Sequence, residues 1–101
     1  MPERLEHVEV LTAFGPVTLT WEARDRLLDE LRHLDSLADV VADFVNAGAS
    51  RPVRIPEGER LAVASVIEMM GQQSRGGLVG LQGGLFELRN ALVDQPGGNP
   101  Q

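Results

Sequence analysis

A helix-dominated α+β fold follows from three features of this 101-residue chain. Apolar residues alternate with polar ones chiefly between residues 7 and 21, the period of a half-buried strand. Beyond that point they recur at three- and four-residue intervals, the period of a helix face. Glycine and proline fall between the periodic stretches and punctuate them. The length suits one core, so residues 1–94 are expected to form a single domain and 95–101 a polar tail.

The hairpin comes first. Val8 and Val10 alternate with His7 and Glu9, and Val17, Leu19 and Trp21 alternate with Thr18 and Thr20. Phe14-Gly15-Pro16 is expected to supply the turn, because glycine tolerates positive φ and proline suits a strand start. Thr20 then reads as a helix N-cap, with Glu22 in the first turn and Glu22–Arg26 as an i,i+4 pair. Leu27, Leu28, Leu31 and Leu34 form the apolar stripe of this helix, which is expected to run to residues 32–34.

Asp35 or Ser36 is expected to cap a second helix with Leu37, Val40, Val41, Phe44 and Val45 on its apolar face and Gly48 at its end. So few residues separate the two helices that they must form a tight hairpin or a kinked pair. Val53-Arg54-Ile55, flanked by prolines, reads as a brief edge strand. Pro56 suits the first turn of a third helix over 57–71, apolar on most sides and therefore expected at the centre of the core. The last helix is expected over 78–94, with Gly83 and Gly84 weakening it. Pro16-Val17-Thr18-Leu19 and Pro52-Val53-Arg54-Ile55 each lead into a helix, which is how strand-to-helix junctions commonly read.

Net charge is −6, which argues against nucleic acid as the main partner. Arg51, Arg54, Arg60 and Arg75 make only a small basic spot. Cysteine is absent, so disulfides, thiolate metal sites and cysteine nucleophiles are excluded. No apolar run approaches a membrane span, and no secretory signal is expected, which points to a cytoplasmic protein. All nine Lys+Arg residues are arginine, a usage that points to a GC-rich, bacterial genome. The charge is uneven. Residues 1–47 carry ten acids and four arginines, whereas residues 48–101 carry five of each.

Catalytic constellations are weak. Gly71-Gln72-Gln73-Ser74-Arg75-Gly76-Gly77 has the gap of a phosphate loop but lacks its Lys-Ser/Thr and follows a helix instead of a strand. Asp25, Asp29 and His33 share a helix face at metal-ligand spacing, but a solvated face explains them more simply. Neither histidine stands in a nucleophile pattern with a serine, and Trp21 reads as a core anchor. No catalytic, metal or cofactor site is therefore assigned.

Two surfaces remain. Gly76, Gly80 and Gly84 recur every four residues, a smooth stripe where another backbone can approach. Leu78, Leu81, Leu85, Leu88 and Leu92 run alongside at nearly heptad spacing. This seam reads either as a self-association or partner-docking surface or as an intramolecular crossing against the helix over 57–71. Asp25 and Asp29, with Asp35, Asp39 and Asp43, form two carboxylate stripes suited to a basic partner. The expected function is thus a non-enzymatic bacterial interaction module, such as a regulator, adaptor or assembly subunit, forming a homo-oligomer. The alternatives are an acidic immunity, antitoxin or inhibitor-type protein that neutralises a basic partner, and a small enzyme or ligand-binding domain.

Overall fold

The computed structural model describes residues 7–12, 15–47, 52–73 and 81–93. Strand β1 (His7–Thr12) pairs antiparallel with β2 (Gly15–Thr20), and helix α1 (Trp21–Leu31) follows directly. A 3₁₀ turn (Asp35–Leu37) leads into α2 (Ala38–Ala47). Strand β3 (Val53–Arg54) and a second 3₁₀ turn (Glu57–Glu59) precede α3 (Arg60–Gln73), and α4 (Gly83–Val93) ends the described chain. The sheet order is β2-β1-β3, with β3 parallel to β1. The small α+β domain with an N-terminal hairpin is what the alternation and the helical periods predict.

The register sets the sheet's faces. Val8 pairs with Leu19 and Val10 with Val17, so their side chains share the covered face. His7, Glu9, Thr18 and Thr20 point to the exposed one. Thr12 pairs with Gly15 and Leu11 with Pro16, so Gly15 and Pro16 open β2 instead of forming the turn. Gly15 has φ +115°, a value that side chains other than glycine rarely adopt. Pro16 is tolerated because β2 is an edge strand. The expected turn residue Phe14 lies outside the described residues.

Thr20 caps α1 as expected: its Oγ1 accepts a hydrogen bond from the Ala23 N–H at 3.0 Å. Trp21 is the first helical residue, not the last of the strand, and the Arg24 guanidinium lies 5.3 Å from its ring centre. The helix ends at Leu31, where backbone bonds from Arg32, His33 and Leu34 tighten the chain into a turn. Leu34 therefore leaves the apolar stripe and is exposed. It also takes the N-cap place of the following 3₁₀ turn, with no side-chain cap. Asp35 and Ser36 lie inside that turn, so neither plays the capping part expected of it.

The helices α1 and α2 form the expected hairpin. Arg24, early in α1, donates to the carbonyl of Phe44, late in α2. Leu37, Val40 and Phe44 are buried, but Val45 faces solvent, because a helix packed on one side covers only part of its circumference. Gly48 lies outside the described residues.

Pro56 leads into a 3₁₀ turn, so α3 proper starts only at Arg60. It buries Val63, Ala64, Val66, Ile67 and Met70 while leaving Leu61 and Met69 exposed. The central place belongs to α1 instead. That helix packs against both hairpin strands and all three other helices, whereas α3 packs chiefly on α4 and α1. Apolarity around a wheel measures the surface available for burial; the neighbours that cover it depend on topology. Helix α4 starts at Gly83, so Leu81 and Gln82 of the expected 78–94 span precede it, and residues 78–80 and 94 lie outside the described residues. Gly83 and Gly84 are its first two residues, where a missing side chain costs the helix least.

Candidate interaction surfaces

Leu85, Leu88 and Leu92 are buried to within 1% of full coverage, and Leu81 is buried too. They belong to the one core cluster that also holds Leu19, Leu27, Leu31 and Ile67. The chain's own elements therefore cover the described part of the leucine seam. Gly76, Leu78 and Gly80 lie outside the described residues.

Gly84 explains how α4 comes so close. A Cβ there would stand 2.6 Å from the Thr18 carbonyl oxygen and 3.0 Å from the Leu19 Cα. Such distances cannot be held, so glycine lets the first turn of α4 rest on the backbone of β2. The expected intramolecular crossing is thus corrected at this position: the glycine spaces α4 from β2, not from α3. At neighbouring Gly83 a Cβ would meet nothing within 4 Å.

The outward side of α4 is another matter. Arg60, at the start of α3, donates to the Leu92 carbonyl at 3.0 Å, and Arg89 reaches Glu68 at 3.3 Å. These bonds tie α3 and α4 together antiparallel. Beside them stand Leu61, Phe86 and Val93, which are 57%, 40% and 42% exposed. Leu61 and Glu68 are seven residues apart on α3, and Phe86 and Val93 are seven apart on α4. Each pair therefore lies along one side of its helix. The outer seam thus reads apolar, then ionic, then apolar. These residues escaped the sequence reading because the leucines dominate the periodicity. The i,i+7 spacing of Phe86 and Val93 was the available signal.

The acidic residues divide. Asp25, Asp29, Asp35 and Asp39 are exposed. Asp25 pairs with Arg24 at 2.7 Å, and a shallow depression holds Asp25 and Asp29 together with Arg24, Arg26 and Arg32. The first stripe is therefore interleaved with positive charge. Asp35 belongs to the 3₁₀ turn, so only Asp39 and Asp43 continue the second stripe along α2. Asp43 accepts the backbone N–H of Arg54 at 2.8 Å. It thereby covers a donor of edge strand β3 that β1 does not take, a common protection of sheet edges. Asp39 and Asp43 line one groove with Leu11, Pro52, Arg54 and Pro56, at the carboxyl ends of β1 and β3.

Among the described residues no three His, Asp or Glu side chains gather as a metal site would require. His7 and His33 are both exposed and lie on separate elements. No described helix is long and apolar enough to cross a membrane. Of the arginine spot, Arg54 is exposed and Arg60 is turned to the end of α4, while Arg51 and Arg75 lie outside the described residues. No protein-family model, curated protein or solved structure matches this chain.

Proposed function

We propose that this chain is a non-enzymatic, cytoplasmic bacterial interaction module that docks through the outer seam of α3 and α4. The observation that carries the reading is the placement of Leu61, Phe86 and Val93 in solvent beside the Arg89–Glu68 pair. Apolar side chains around a central ion pair suit a small interface, where the apolar groups supply affinity and the charges set orientation. Leu85, Leu88 and Leu92 support this role from inside, by anchoring α4 in the core.

Capture from a host lysate on the tagged chain tests the reading. A retained protein, another copy included, should be lost with Phe86→Glu while the circular dichroism spectrum stays unchanged. Retention unaffected by both Phe86→Glu and Leu61→Glu overturns it. The acidic-neutraliser reading draws support from exposed Asp29 and Asp39 on the charged half. It expects loss on reversing those two residues instead.

A further inference from the structure

We propose that the occupant of the α3–α4 outer seam is a second copy of this chain, related by a two-fold axis; this rests on the docking reading above. Charge selects it. Two copies at −6 repel, and the repulsion is smallest when they meet through their neutral halves. The two seam helices supply such a neutral surface: their charged residues are Arg60 and Glu68 on α3 and Glu87 and Arg89 on α4, two of each sign. The exposed carboxylates Asp25, Asp29, Asp35 and Asp39 lie on α1, on α2 and on the turn between them, outside these two helices.

The seam is also self-complementary. An isologous contact needs one patch to match itself, so a cation and an anion must both lie on it. Arg89 and Glu68 meet this requirement. Glu68 is 45% exposed at its side chain, leaving carboxylate capacity open. Arg89 gives one N–H of Nη1 to Asn90 and one of Nη2 to Glu68, and although its Nε is buried, each Nη carries a second N–H. Each Arg89 can thus serve the Glu68 of the second copy without releasing its own. Two antiparallel helix pairs joined this way make a four-helix bundle, and the i,i+7 spacing of Phe86 and Val93 fits that packing. The helices are short, so the contact is small and the dimer should dissociate in roughly the micromolar range.

Sedimentation velocity across a concentration series tests the proposal on the full chain. The wild type should pass from monomer to dimer, and Phe86→Glu should remain monomeric with an unchanged melting curve. Arg89→Glu and Glu68→Arg should each weaken the dimer. Mixing those two variants restores opposite charge between copies but not within either one. The mixture should therefore dimerise at least about tenfold more tightly than either variant alone, equivalent to ~1.4 kcal/mol. A wild type that stays monomeric, a dimer indifferent to Phe86→Glu, or a mixture no tighter than its components overturns the inference. If the wild type is monomeric yet Phe86→Glu abolishes lysate capture, the docking reading survives without the second copy. If capture is indifferent as well, both fall.

Discussion

The two halves of this molecule use their sequence differently. In the first, the hairpin and the start of α1 follow local signals. The Thr20 hydroxyl starts α1, valine alternation makes the hairpin, and α1 and α2 fold back on each other across a short turn. In the second, the form of α4 depends on β2, more than sixty residues earlier in the chain. The charge follows the same division. The acidic half keeps most of its carboxylates at the surface, while the neutral half buries Leu81, Leu85, Leu88 and Leu92 and exposes Leu61, Phe86 and Val93. A conspicuous sequence pattern can therefore belong to the interior, and a sparse one to the surface.

The strongest challenge to this contrast is Leu85→Asp. Burying a carboxylate among leucines, with the loss of the leucine itself, should cost at least ~5 kcal/mol, comparable to the whole stability of a small domain. The variant should unfold in thermal denaturation. A folded Leu85→Asp monomer would show that this leucine serves an interface and not the core.

Adjacent glycines give the next test. Gly84→Ala forces α4 away from the β2 backbone and should destabilise by roughly 2–3 kcal/mol in denaturant titration. Gly83→Ala meets nothing and should be neutral or stabilising by up to ~1 kcal/mol. Equal effects at the two positions would remove the long-range dependence claimed for the second half. Within the first half, Thr20→Ala should cost about 1 kcal/mol through loss of the α1 cap, read from the same titration. A null effect there would weaken the claim that this half is locally specified. The smallest effect is expected at Asp25, whose own side chain is 65% exposed beside the more covered Arg24. Asp25→Asn should change stability by less than ~0.5 kcal/mol, and a larger loss would make the acidic face part of the fold's support.

Much of the architecture was legible in the residues. The hairpin alternation and the Thr20 cap were readable because each rests on interactions within a few positions, whereas β3 was marked only by its own alternation and prolines, its pairing with β1 spanning more than forty residues. The failures share a cause. Leu34 and Val45 continue apolar stripes beyond the surface that neighbouring elements cover, and periodicity carries no information about where coverage stops. The second-helix cap failed because the Leu37 N–H bonds the Leu34 carbonyl, closing a backbone turn that made a side-chain acceptor unnecessary. The acidic stripes were visible, but Asp43's bond to β3 was not, since the two segments meet only after α2 packs on the sheet.

The sequence by itself determined the fold class, the order of its elements, the start of α1 and the division into an acidic and a neutral half. These follow from propensity, periodicity and composition, which operate along the chain. Only the tertiary structure decided that α1, not α3, holds the centre, that Gly84 admits β2, and that Leu61, Phe86 and Val93 stand outside while Leu81, Leu85, Leu88 and Leu92 are enclosed. Those outcomes depend on which surfaces meet in three dimensions, and residues distant in the chain compete for the same covered area.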